Sequence, residues 1–284
     1  MSELTRRILF ALVGAPVTVA IVYVGGWILA TALGALAGIG AWELFRMARS
    51  GGATPMAGIG IVLAALIPIL VHAQYLGVFS PSLTAAAVVF LALIASVIWL
   101  RGVDGHPLIS LSVTVFGVLY AALVTFIYPL RYHDYAVGAI AGTALVMFPI
   151  GVTWGTDIGA YAFGRMFGKR KLMPSVSPGK TVAGAVGGLV ASVASCWFYV
   201  TVFLKPLGQL TLSPLGMVLF ALAISVAGQT GDLAESLLKR EAGVKDSSTL
   251  LPGHGGILDR FDSLLFALPV AFLLLGHLLI PAPG

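Results

Sequence analysis

The feature that most constrains this chain is the repeated return of apolar runs about 20 residues long, the length an α-helix needs to cross a bilayer. They cover residues 8–24, 27–47, 57–73, 83–100, 108–130, 137 to about 163, 182–204, 214 to about 231 and 261–280. In hydrocarbon a segment must satisfy its own backbone N–H and C=O groups, which an isolated run does as a helix. Composition agrees: 10% of the residues are charged and 59% hydrophobic, whereas a soluble domain carries about 25% charged residues. The prediction is an all-α, polytopic integral membrane protein with about nine transmembrane helices, its solvent the lipid bilayer. The first run follows Arg6 and Arg7, as the core of a signal peptide would. Its length and the lack of a small-x-small cleavage site predict a span instead.

The basic residues orient the chain. With the N-terminus inside, Arg6, Arg7, Arg46, Arg49, Arg101, Arg165, Lys169, Arg170, Lys171, Lys180, Lys239, Arg240, Lys245 and Arg260 fall on the cytoplasmic side, and Arg131 and Lys205 fall outside. This is the positive-inside pattern. The net charge of +5 therefore reports topology, and no nucleic-acid partner is expected. The connections between runs are too short for a soluble domain, so a polar site must lie at the membrane surface or between helices. Residues 1–135 are expected to form N-terminal transmembrane helices. Residues 136–284 are expected to form a C-terminal catalytic region with cytoplasmic loops 164–181 and 232–260. The pairs Gly34/Gly38 and Gly184/Gly188 have helix-packing spacing; they are assigned to packing within the chain, with a homodimer left open. Cys196 is the single cysteine, so no intrachain disulfide forms.

Polar chemistry concentrates in residues 236–262, SLLKREAGVKDSSTLLPGHGGILDRFD, with Asp232 and Glu235 just upstream. If the eighth helix continues past Gly231, then Asp232, Glu235, Ser236 and Lys239 stand at i, i+3, i+4 and i+7 on one face. Asp259 and Asp262, three apart, share a face of the next helix. Between them, His254, Gly255 and Gly256 belong to a loop whose glycines permit positive φ and close backbone approach. Amides beside a helix N-terminus suit a phosphate. Carboxylates beside phosphate-binding amides imply a divalent cation, with Mg²⁺ the default. Asp232 and Asp259 are expected to hold it, with Asp262 or Asp246 close by; a second cation is left open. The competing reading makes Asp259 an N-cap with Asp262 at N3, and the cations Lys239, Arg240 and Lys245 membrane-surface anchors.

A second block reads WGTDIGAY from Trp154 and FGRMFGKRKLMPSVSPGKT from Phe163. Asp157 stands in very apolar surroundings, where a carboxylate is a functional candidate by default. The string SPGKT imitates the end of a P-loop, but Pro174 stands where the first P-loop glycine belongs and no βαβ pattern surrounds it. Lys180 and Thr181 remain candidate triphosphate contacts. His72, His106, His133 and His277 are scattered without ligand spacing. Glu43 and Arg46 are expected to pair at i,i+3 near the cytoplasmic surface.

The stretch S-x-x-K-R-x4-K-D-x-S-x-x-L-P-x-H-G-G-x-x-D-R-x-D resembles the signature of the phosphatidate cytidylyltransferases, the bacterial CDP-diacylglycerol synthases. The blocks W-x-x-D-x-x-A-Y and S-P-x-K-T resemble the same family, with departures at Ile158 and at Val182–Ala183. The resemblance implies transfer of CMP from CTP to phosphatidate, forming CDP-diacylglycerol and pyrophosphate. It also implies Mg²⁺ and a multi-pass protein of the bacterial inner membrane with a cytoplasmic active site. Asp232, Lys239, Arg240, Lys245, Asp246, Asp259 and Arg260 would then be catalytic. Asp157, Lys169, Ser177, Lys180, Thr181, Ser236, His254, Gly255 and Gly256 would bind substrate, and Asp232, Asp259 and Asp262 the metal. A CTP-dependent lipid-alcohol kinase and a polytopic transporter are the alternatives.

Overall fold

The computed structural model describes residues 3–78, 80–134, 138–250 and 255–282, with side chains from residue 12 onward. Helix α1 spans Glu3–Val24, α2 Gly26–Ser50, α3 Ala57–Tyr75 and α4 Leu83–Leu100. Helix α5, Pro107–Ala122, passes through a 3₁₀ turn at Leu123–Phe126 into α6, Ile127–Arg131. Then come α7, Ala139–Phe167, a hairpin of β1, Lys171–Met173, and β2, Ser177–Thr181, and α8, Val182–Tyr199. A π-helical turn at Val200–Gly208 leads to β3, Leu210–Leu212; α9, Pro214–Glu241, α10, Leu258–Leu278, and β4, Leu279–Pro281, complete the order.

Eight helical segments among the described residues are long and apolar enough to cross a membrane, and a shorter apolar helix, Leu12–Val24, precedes them. The all-α expectation therefore describes the spans. The four short strands form two antiparallel pairs, β1 with β2 and β3 with β4.

The chain folds as two compact units. One comprises Gly26–Tyr128 and Leu238–Asp259. Its helix α2 begins at a pair of glycines with φ of 67° and 55°, a left-handed bend that ends α1 and restarts the chain. Phe45 is fully buried and fills the space that a side chain at Gly60 or Gly117 would need. Gly34 brings α2 against α3, where an added Cβ would stand 2.7 Å from the Ala65 carbonyl oxygen. That is the packing role its spacing predicts. Arg101 is an anchor: it donates to the carbonyls of Thr54 (3.1 Å) and Pro55 (2.8 Å) and to Ser110 Oγ (3.1 Å).

The other unit comprises Met1–Gly25, Pro129–Leu237 and Arg260–Gly284. Here α7 and α8 pack along glycines. Gly184 lies so close to α7 that an added Cβ would meet the Ala160 carbonyl oxygen at 2.8 Å. Pro149 lies inside α7, which stays helical through it. Phe148 stacks on Phe220 at 4.5 Å and on Tyr199 at 5.2 Å between centroids. Arg131 is buried and donates to the last carbonyls of α1, Val22 (2.7 Å) and Tyr23 (3.0 Å). A cation there answers both the orphan carbonyls and the negative end of the helix dipole.

Candidate functional site

Two polar clusters stand out, one in each unit. The first is built by α7, the β1–β2 hairpin, α8 and α9. It surrounds a cavity of about 580 Å³ whose lining includes Asp157, Tyr161, Arg165, Lys180, Thr181, Gln229 and Asp232. The hairpin exists because the chain leaves α7 at Gly168 and returns with Lys171 opposite Thr181 and Met173 opposite Ser177. Strand β2 then runs directly into α8. Thr181 is the N-cap of that helix, its hydroxyl accepting from the Gly184 amide at 3.1 Å. SPGKT is therefore the second strand of a hairpin that delivers Lys180 to the cavity.

Lys180 Nζ lies 2.6 Å from Asp232 Oδ2, with the side chains 26% and 35% exposed. Ser236 donates to Asp232 Oδ1 at 3.4 Å, one turn further along α9. Asp157 lies within electrostatic reach of Asp232, Asp262 and Lys180. Close packing of α9 on α10 brings Asp262 near, since a Cβ at Gly231 would collide with its backbone oxygen. Trp154, Asp157 and Tyr161 all stand on the exposed side of α7, and Tyr161 Oη accepts from Arg165 at 3.1 Å. Ser177 sits in the hairpin and Lys169 is exposed at its entry, but neither lines the cavity.

The second cluster holds the signature loop. Helix α9 continues to Glu241, as the one-face expectation requires. Asp259 takes four hydrogen bonds. Its Oδ1 accepts from Lys239 Nζ at 2.6 Å, and its Oδ2 from the Ser247 amide (2.9 Å), Ser247 Oγ (2.8 Å) and the Gly256 amide (2.8 Å). Asp259 therefore ties the loop together from within the first turn of α10, and is not the N-cap that precedes that helix. Gly255 has φ of 76°, and an added Cβ would stand 2.6 Å from Asp259 Oδ2. The Gly256 amide, expected to meet a phosphate, is directed to Asp259. The expected partner of Glu43 also changes. Glu43 is completely buried and accepts four bonds from the signature loop (Ser247, Ser248, Ile257 and Leu258). Arg46 instead lies over the Trp42 ring, 5.8 Å from its centroid. Arg240, Lys245, Asp246 and Arg260 are exposed. His254 lies outside the described residues.

The sequence offers no signal for Gln229, marks Arg165 only as a cytoplasmic cation, and gives Glu43 the wrong partner. For Glu43 the signal was present: a carboxylate inside an apolar run calls for a named partner, and the nearest cation along the helix was the wrong one.

Among the described residues, no three His, Cys, Asp or Glu side chains cluster closely enough to form a metal cage. Mg²⁺ does not need one, because one or two carboxylates plus substrate oxygens hold it. Asp232, with Asp157 and Asp262 in reach, fits that requirement. Asp259 has three donors on one oxygen and an ammonium on the other, and offers far less.

Spans that bury their backbone bonds and polar side chains gathered at a cavity define the class: a polytopic membrane protein with an acidic and basic site suited to phosphates. The chain belongs to the Cytidylyltransferase family, whose sequence model matches residues 5–278. It is similar to the phosphatidate cytidylyltransferase of Bacillus subtilis (strain 168), 48% identical over 134 residues, which are 47% of this chain and 48% of that protein. The Staphylococcus haemolyticus protein of the same name is 46% identical over 134 residues, covering 47% and 50%. That of Staphylococcus aureus (strain COL) is 45% identical over 139 residues, with the same coverage. The matched stretch spans about half the length of these relatives.

Proposed function

We propose that this chain transfers CMP from CTP to phosphatidate, forming CDP-diacylglycerol and pyrophosphate, at the cytoplasmic face of a bacterial inner membrane. The observation that carries this is the Lys180–Asp232 pair in the wall of the α7–α8–α9 cavity. One member is a cation for a polyphosphate, the other a carboxylate for the ion that accompanies it. The names of the similar proteins support the same chemistry.

The reaction makes few demands on acid–base groups. A phosphate monoester has a second pKa near 6, by analogy with phosphorylated side chains, so the phosphatidate oxygen is already anionic at neutral pH. It attacks the α-phosphorus of CTP. A new P–O bond forms as the bond to the β-phosphate oxygen breaks, and pyrophosphate leaves with that electron pair. The barrier is repulsion between two polyanions, so catalysis is positioning plus charge screening. Lys180 exchanges its contact with Asp232 for the triphosphate. Asp232, released, is free to hold Mg²⁺ together with Asp157 or Asp262. When bound, Mg²⁺ screens the phosphates and polarises the reacting P–O bonds. Thr181 fixes the start of α8 and so the height of Lys180. Arg165 at the cavity and the exposed Arg240, Lys245 and Arg260 are proposed phosphate contacts.

The test is turnover of the purified protein in detergent with CTP, Mg²⁺ and phosphatidate, with product identification. CDP-diacylglycerol plus pyrophosphate is expected. CDP plus a phosphorylated lipid would identify a kinase, and no CTP turnover would leave a transporter.

A further inference from the structure

Glu43 has no assigned role, yet it is among the most constrained side chains in the protein. It is completely buried, and its partners lie more than 200 positions away in sequence. Oε1 accepts from Ser248 Oγ at 2.6 Å and the Ile257 amide at 2.9 Å. Oε2 accepts from the Leu258 amide at 2.7 Å and Ser247 Oγ at 3.2 Å. The two ends of the signature loop therefore meet on one carboxylate. Ser247 Oγ also reaches Asp259 Oδ2 at 2.8 Å, so Glu43 stands one hydroxyl away from the Lys239–Asp259 pair. Gly256 is part of the same fit, because an added Cβ would lie 2.6 Å from Glu43 Cδ. Burying a carboxylate is costly unless its acceptors are filled, and here each oxygen receives two donors. Two of these donors are amides at the N-terminus of α10, where an anion is favoured.

We infer that Glu43 is a positioning residue for the reaction: it ties Ser247 and Ser248 to Ile257 and Leu258 and thereby holds the signature residues around the Lys239–Asp259 pair in place. The inference rests on the function proposed above. Glu43 touches no reacting atom, so its effect is transmitted through the loop and falls on the transition state more than on CTP capture.

The chemistry of the carboxylate supplies the test. In Glu43→Gln the side chain keeps its shape, but its NH₂ must face either the Ile257 or the Leu258 amide, donor against donor. Glu43→Asp keeps the charge with a shorter reach, and Ser248→Ala removes one donor without creating a clash. The measurements are amide exchange in the 255–260 segment and steady-state kinetics with CTP and phosphatidate. Glu43→Gln is expected to exchange those amides roughly tenfold faster or more, with exchange in α7 and α8 unchanged. Its kcat should fall about tenfold or more, with KM for CTP within about threefold. Glu43→Asp should lie between it and wild type, and Ser248→Ala close to wild type. Wild-type kcat in Glu43→Gln would overturn the inference. So would lost activity with unchanged loop exchange, or faster exchange throughout the chain, which marks a general structural role. If Glu43→Gln does not accumulate, equal kcat in Glu43→Asp and wild type would overturn it. Wild-type protein that makes no CDP-diacylglycerol would instead remove the proposed function, and the catalytic part of this inference with it.

Discussion

The ammonium of Lys180, carried on a two-stranded hairpin, stands 2.6 Å from the carboxylate of Asp232, late in α9. Both side chains are about a quarter to a third exposed, so the pair is screened by solvent and contributes little to stability. What it provides is a cation and an anion already in place, each able to exchange its partner for a ligand group.

Replacing the cation should act on nucleotide binding. Lys180→Ala removes a contact made to phosphates in ground and transition states alike, so KM for CTP should rise about tenfold or more while kcat changes much less. Initial-rate kinetics over a CTP series reads this directly. An unchanged KM would take Lys180 out of the nucleotide site.

Replacing the anion should act on the metal. Asp232→Asn keeps size and deletes charge; turnover should fall by about a hundredfold or more in protein that remains folded in detergent. Raising Mg²⁺ should recover part of the loss if Asp157 and Asp262 contribute, and chelation should abolish wild-type activity reversibly. Near-normal rates at low Mg²⁺ would rule Asp232 out as a ligand.

Asp259 should behave differently, as a buried anchor. Its side chain and that of Lys239 are 10% and 12% exposed, so the pair is largely desolvated. In Asp259→Asn an amide replaces the charge facing the Lys239 ammonium, and loss of this largely desolvated ion pair should destabilise the protein by about 3 kcal/mol. Lys239→Met should relieve part of that cost in the double variant, a coupling of about 1 kcal/mol or more in a double-mutant cycle followed by thermal unfolding. Simple helix capping predicts no loss, since Asn caps as well as Asp. Additive effects would show that the two residues act separately.

Orientation is testable on exposed positions. In a Cys196→Ala background, Lys205→Cys should react with a membrane-impermeant thiol reagent on intact cells. Arg170→Cys should react only after permeabilisation. The reverse pattern would invert the proposed topology, which rests on the segregation of basic residues.

Much of this protein was legible in the sequence because lipid imposes a local rule. Each apolar run must close its own backbone bonds, so the spans follow from hydropathy and length alone, and the described helices lie close to the predicted runs. The motif residues Asp157, Lys180 and Asp232 were also legible, since carboxylates and lysines are conspicuous among aliphatic neighbours. Their meeting at one cavity was a matter for the tertiary structure. It depends on a hairpin register and on the close approach of α7 to α8 at Gly184, neither of which has a local signature strong enough to read. Asp259 looked like a cap or a ligand from its place in the chain, and its actual partners are Lys239, Ser247 and Gly256. Glu43 shows the limit most clearly. Helical spacing pointed to Arg46, three positions away, but the groups that satisfy the carboxylate lie at Ser247–Ser248 and Ile257–Leu258. A buried charge takes the partners that packing brings to it, and packing brings together residues that sequence distance keeps apart.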